Sequence, residues 1–426
     1  MGVLLDALAR AWRVLGLDAA AGGDEVFFQL AAARVIEPVS KLDSARVLEE
    51  AGVAPVPYRT VTRRLRAFAK DSLRQQIAAA CAAHARLGSA TLVLYDVSTL
   101  YFETDQGDGF REPGFSKERR LEPQITIGLL TGADGFPLMV SAFEGNKAET
   151  KTMLPVIGSF MATHDVPDVT VVADAGMVSD ANRKDIEKAG LSFILGARIP
   201  DVPYPVAQWR RDHPGEPIPD GHIFTLRWPA LDGQGRRDQV FYYQYRADRA
   251  RRTLRGIDEQ VRKAEQAVAG KTPVKRNRFV QLSGGTRTVN RELEDKARAL
   301  AGLKGYVTNL AACPDGTPVT AEFVISAYHQ LFQVEKAFRM SKHDLQARPV
   351  YHGKRDSIEA HLTIVFAALA VSRWIEQQTG WSIRKFVKTA RRYRTIRIQA
   401  GDQVITAADP LSEDLRQAIE AINHDS

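Results

Sequence analysis

The sequence predicts an α/β fold in three parts: a helical N-terminal region, a run of strands, then strands and helices in alternation. Three observations carry this expectation. Residues 1–88 show helical patterning throughout. From Thr91 three β-rich apolar runs follow one another, two of them joined by a Gly-Ala-Asp-Gly turn. Beyond residue 148, helical and strand patterns alternate.

In the N-terminal region, Ser40 to Ala51 reads as a helix closed by Gly52, a residue suited to the left-handed position after a helix end. A Val-Ala-Pro-Val-Pro connection leads to a second helix, Tyr58 to Phe68, rich in arginine. Two helices with a brief turn suggest a helix-turn-helix DNA reader. Arg59, Arg63 and Arg66 have the spacing to share one face as DNA contacts. The plainer alternative is a helical hairpin with a solvated basic face.

The strand runs are Thr91–Phe102, Gln124–Leu130 and Phe136–Phe143. A helix is expected at about 148–162, a strand at Val169–Asp174, a helix near 179–189 and a strand at Leu191–Leu195. Three antiparallel strands followed by alternation is the order of the ribonuclease-H-like fold. Residues 199–303 interrupt it with a mixed insertion, holding strands at 223–228 and 239–245, a charged helix near 247–268 and the basic run Lys275–Arg278. Gly305–Leu310 returns to strand character. The expected domains are thus 1–88, a core in two parts (89–198 and 304–380) separated by the 199–303 insertion, and a basic C-terminal region, 381–426.

The balance of charge, 58 basic against 51 acidic residues, leaves +7 and suits a polyanion partner. Two cysteines, Cys81 and Cys313, are too few for a disulfide framework or a cysteine zinc site, so a reducing cytoplasm is expected. The first ten residues lack the basic start and apolar core of a signal peptide. The apolar stretch Leu362–Val371 is too short to span a membrane and reads as a buried helix.

Two acids stand in costly surroundings. Asp96 lies inside an apolar strand, and Asp174 ends Val-Thr-Val-Val-Ala. A carboxylate there needs a hydrogen bond, a counter-charge or a metal. A third, Glu335, lies in Tyr328–Lys342, an uninterrupted run without Gly or Pro that reads as one helix. At roughly 100° per residue, Tyr328, Glu335, Arg339 and Lys342 fall within about 60° of one another. Such a face is either solvated, with ordinary ion pairs, or an acid that holds a metal beside cations and a phenol that grip phosphate. In the expected sheet Asp96 and Asp174 occupy neighbouring strands, with Glu335 at the rim. Three oxygen ligands suit Mg²⁺ or Mn²⁺, and two such ions serve phosphoryl transfer. The acids are spaced 174 − 96 = 78 and 335 − 174 = 161 residues apart, and the insertion accounts for the second interval.

With these residues assembled, the chain resembles bacterial insertion-sequence transposases of the DDE type, in the insertion-sequence-4-like superfamily. Their signature reads Tyr, two residues, Arg, three residues, Glu, six residues, Lys. Tyr328, Glu335 and Lys342 match, while Leu331 stands where the Arg belongs. Arg339 matches a second cation often found in relatives. Asp174-Ala-Gly-Met, Gly145-Asn146 and Arg348–His352 are also similar to this group.

The resemblance implies metal-dependent DNA cleavage and strand transfer. Asp96, Asp174 and Glu335 would be the catalytic metal ligands, and Tyr328, Arg339 and Lys342 the DNA contacts. The implied partners are double-stranded DNA, as terminal inverted repeats and target, and a second copy on paired ends. The implied setting is the bacterial cytoplasm, on the nucleoid when bound. Several relatives excise through a hairpin aided by an aromatic residue, for which Trp209 and Trp228 are candidates by location. A nuclease of the same fold and an inactive, domesticated DNA-binding protein are the alternatives. No Gly-x-x-x-x-Gly-Lys loop supports an ATPase.

Overall fold

The computed structural model describes residues 2–87, 91–104, 106–114, 122–148, 151–164, 166, 168–176, 180–230, 237–272, 277–283, 286–347, 353–393, 395–400, 403–408 and 410–424. The chain forms two compact units, Met1–Val172 with His329–Ser426, and Ala173–Tyr328.

The first unit opens with six helices: α1 (Val3–Val14), α2 (Leu17–Ala20), α3 (Glu25–Ile36), α4 (Ser44–Glu50), α5 (Tyr58–Phe68) and α6 (Asp71–His84). Strands β1 (Thr91–Tyr101), β2 (Gln124–Gly132) and β3 (Pro137–Glu144) follow, then α7 (Met153–His164) and β4 (Val169–Ala173). Their order is β3-β2-β1-β4. The β1–β2 and β2–β3 pairs are antiparallel, and β4 runs parallel to β1. This is the ribonuclease-H-like order expected from the sequence. Strand β2 is buried along its whole length, which explains why it carries no charged residue.

The second unit holds α8 (Asp180–Lys188), β5 (Ser192–Ala197), α9 (Tyr204–Asp212), β6 (Ile223–Trp228) and β7 (Gln239–Tyr245). It continues with α10 (Ala247–Val268), β8 (Val280–Ser283), β9 (Thr286–Val289), α11 (Arg291–Ala299), β10 (Leu303–Thr308) and α12 (Ala321–His329). Its strands lie in the order β5-β10-β7-β6, with β10 antiparallel to both β5 and β7. One face of α10 buries Ile257, Val261 and Ala264 against Phe279, and its charged face stays in water.

The chain then returns to the first unit with α13 (Leu331–Arg339), a π-helical turn (Met340–Asp344), α14 (Arg355–Thr379), α15 (Ile383–Ala390), strands β11 (Thr395–Ala400) and β12 (Gln403–Ala408), and α16 (Glu413–His424). Helix α14 is the axis of this unit and is buried nearly all round, from Ile358 to Ile375. Helices α1, α3, α5, α6, α15 and α16 and strand β3 pack on it. No Gly or Pro interrupts it until Gly380, which closes it at φ +67°. At 25 residues it is long and apolar enough to cross a membrane, but 94% of its most apolar window is buried within the protein. The apolar stretch Leu362–Val371 expected as a buried helix lies within it, and the flanking polar residues continue the helix at both ends. Their charges are paired: buried Arg74 of α6 meets Glu359 at 2.6 Å, and Arg373 reaches Glu376 and the carbonyl of Asp134.

Two boundaries differ from the expectation. The helices of residues 3–84 belong to the same unit as the first strands, because α14 buries its surface against them. The separate unit begins at Ala173, so it includes α8, β5 and β10 as well as residues 199–303. The 381–426 region is folded, with α15 and α16 packed on α14 and α1.

Candidate active site

In the first unit the site starts from β1. Successive side chains of a strand alternate between faces, so Asp96, Ser98 and Leu100 share one. Ser98 and Leu100 line a small cavity with Phe338, Ser341 and Lys342, which identifies that face as the one covered by α13 and the π turn. Asp96 therefore projects toward the helix that carries Glu335. Asp96 is partly exposed, while Glu335 and Arg339 are exposed on α13. Lys342 donates from its ammonium to the hydroxyl of Ser98, and lies 5.9 Å from the Phe338 ring centre. The π turn that carries Lys342 is a rare element, found most often at functional sites.

In the second unit Asp174 follows directly on β4, with its carboxyl half-buried. The Tyr328 hydroxyl donates to Asp174 Oδ1, and the N–H groups of Ala175 and Gly176 add further hydrogen bonds. Burial pushes the Asp174 carboxyl up, but these donors and the charge of Lys304 outweigh it and hold the group below its ordinary range. Tyr328 is only 4% exposed. Its ring stands edge-on to Tyr306 at 5.1 Å, and the Lys304 ammonium sits 4.4 Å from its centre. Burial and the facing carboxylate both raise the phenol well above its usual value.

One expectation is corrected here. Residues 328–342 are not one helix: α12 ends at His329, α13 begins at Leu331, and Met340–Asp344 winds as a π turn. The wheel that grouped Tyr328, Glu335, Arg339 and Lys342 assumed a constant 100° step, which the break and the wider turn both violate. Tyr328, one residue before the end of α12, faces Asp174, and no Gly or Pro announces the break.

Among the described residues, no three His, Cys, Asp or Glu side chains are gathered tightly enough to hold a metal ion. The donor chemistry of Asp96, Asp174 and Glu335 nonetheless suits a hard divalent ion, since all three offer oxygen.

Away from these acids, Arg59, Arg63 and Arg66 are exposed on α5, while Val61 and Phe68 face inward. Their neighbour Arg64 pairs with Asp24 instead. Trp209 is stacked on His213 at 4.5 Å, whereas Trp228 is 44% exposed with the Arg183 guanidinium 5.7 Å from its ring. Arg348–His352 lies outside the described residues, as do Lys275 and its neighbour Arg276.

Sequence reasoning missed Ser98, Lys304 and Gly196 of β5, where a Cβ would come within 2.8 Å of the Tyr328 hydroxyl. Gly196 had a signal: an isolated glycine inside a strand marks a close approach of other atoms. Lys304 and Ser98 had none, because each matters only through a partner distant in sequence.

Comparison with known proteins adds the family. The Transposase DDE domain family matches residues 88–371, more than half of the chain. Among solved structures, the chain is similar to one described as a piggyBac transposase synaptic complex with hairpin DNA. That similarity has a TM-score of 0.44 and 9% identity, over 86% of this chain and 69% of the other. A comparison with curated proteins gives no match. On the extent of the family match, which spans Asp96, Asp174 and Glu335, the chain belongs to the transposase DDE domain family.

Proposed function

We propose that this transposase cleaves DNA at the terminal inverted repeats of its own element and joins the freed 3′-hydroxyl to target DNA, with Asp96, Asp174 and Glu335 as the acids of its reaction centre. The observation that carries this reading is the pairing of β1 with β4. The strands are parallel neighbours, from Thr91 beside Val169 to Leu94 beside Val172. One carries Asp96, and the other runs straight into Asp174. The packing of α13 against β1 supports Glu335 as the third acid.

All three side chains would hold Mg²⁺ or Mn²⁺, in a two-ion arrangement. When bound, such ions lower the barrier to in-line phosphoryl transfer by stabilising the attacking and leaving oxygens. The chain's own cations orient the substrate. Arg339 is exposed on the same helix as Glu335, and the Lys342 ammonium, one turn further, is within reach of a phosphate oxygen once it leaves Ser98. The arginine face of α5 would hold duplex DNA away from the acids. A homodimer on paired ends, working on the bacterial nucleoid, completes the proposal.

The test is a nicking and joining assay on terminal-repeat DNA with Mg²⁺ or Mn²⁺. Glu335→Ala and Asp96→Asn should each lower nicking by about 10²–10³-fold, the scale of losing a principal electrostatic group. Nicking by Glu335→Ala at the wild-type rate would overturn the site. Cleavage by the wild type with no joined product would make the chain a nuclease.

A further inference from the structure

We infer that Tyr328 is a positioning residue for Asp174, its hydroxyl fixing the carboxylate in one rotamer, and that Gly196 supplies the space it needs. The inference rests on reading Asp174 as a metal ligand. It replaces the phosphate contact expected of Tyr328 from the sequence.

Valence sets the role of the phenol. A phenol has one O–H to donate, and here it goes to Asp174 Oδ1. A phosphodiester accepts hydrogen bonds and donates none, so the same hydroxyl cannot serve both. Burial also keeps the ring from DNA. At 4% exposure the ring offers almost no surface to a DNA backbone. It is held from two sides, by the Tyr306 edge and by the Lys304 ammonium.

Gly196 leaves room for the hydroxyl. It pairs with Tyr306 across β5 and β10. A Cβ placed on it would come within 2.8 Å of the Tyr328 hydroxyl and 2.8 Å of the Ala175 amide nitrogen. Both atoms are donors to the Asp174 carboxylate. A side chain at 196 would therefore displace two of the groups that orient it. A carboxylate turns about its terminal bond with little resistance. Three donors from fixed backbone and a packed ring hold it still and leave its remaining lone pairs for a cation. Outer-sphere partners of this kind are worth about 10–100-fold in metal affinity.

The experiment titrates the full-length protein with Mn²⁺ alone, without DNA, by calorimetry or by electron paramagnetic resonance. Tyr328→Phe keeps the ring and removes the donor. Its Mn²⁺ affinity should fall about 10-fold or more, and its kcat should fall with it. DNA affinity and the salt dependence of that affinity should match the wild type. Unchanged Mn²⁺ affinity overturns the inference, and a salt slope smaller by about 1 would then identify a phosphate contact. Gly196→Ala should weaken Mn²⁺ binding in the same way, and the double variant should be no worse than the weaker single, since both act on one carboxylate. Asp174→Asn separates the two levels. If it binds Mn²⁺ like the wild type, the metal-ligand reading itself fails. If it loses Mn²⁺ while Tyr328→Phe does not, only the positioning role fails.

Discussion

Lys41 shows how a single side chain can oppose the fold that buries it. It is 9% exposed, and burial, with the nearby charge of Arg34 adding to it, lowers its ammonium to about 7 from an ordinary 10.5. The unfolded chain keeps the ordinary value, so between pH 7 and 10.5 it binds the proton that the folded chain releases. Stability should therefore rise with pH across that window, and the full penalty applies below pH 7. Replacing Lys41 with Met should stabilise the protein at pH 6 by at most about 5 kcal/mol, an upper bound because burial sites relax. The gain should vanish near pH 10.5, and denaturant titrations at both pH values would read it. At the same scale, Asp96 and Asp174 were legible because an acid in an apolar strand needs a reason. Ser98 and Lys304 were not, since their meaning comes from Lys342 and Tyr328, far along the chain.

At the scale of elements, local rules worked where the reasons were local. Helix α4 ends as a Schellman motif: Gly52 donates to the Glu49 carbonyl, and Val53 donates to Leu48. Gly52 takes φ +84°, and no atom lies within 4 Å of a Cβ placed there, so only backbone strain opposes a side chain. Gly52→Ala should cost about 1–2 kcal/mol, measured by chemical denaturation. No change in stability would mean that the left-handed conformation is not held in solution. Strands β1 to β3 and β4 were equally legible, from period, apolar content and turn residues. The break between α12 and α13 was not. Its sequence is helical throughout, and what divides it is tertiary: Tyr328 is fixed on Asp174 in one unit, whereas α13 packs on β1 in the other.

For the whole molecule, the division into units follows from α14. A helix apolar on nearly every side needs cover from all directions, and the N-terminal and C-terminal helices provide it. That ties the arginine face of α5 to the same unit as Asp96 and Glu335. If Arg59, Arg63 and Arg66 each neutralise one phosphate, replacing all three with Gln should reduce the slope of log affinity against log salt by roughly 3. The loss should be similar for specific and unrelated DNA, since phosphate contacts carry no sequence. A loss confined to terminal-repeat DNA would point to base reading by α5 instead. An unaltered slope would make the face a solvated one.

The sequence by itself determined the strand order and the family and singled out the three acids proposed for the reaction centre, because each depends on residue type and spacing along the chain. Only the tertiary structure decided what Tyr328 touches, where the long helix divides, and which helices share a unit with Asp96 and Glu335. Those outcomes depend on atoms that meet across more than a hundred residues, and no local pattern encodes such a meeting. Gly196 stands between the two cases. As a strand glycine it signalled a close approach, and the fold supplied the identity of what approaches.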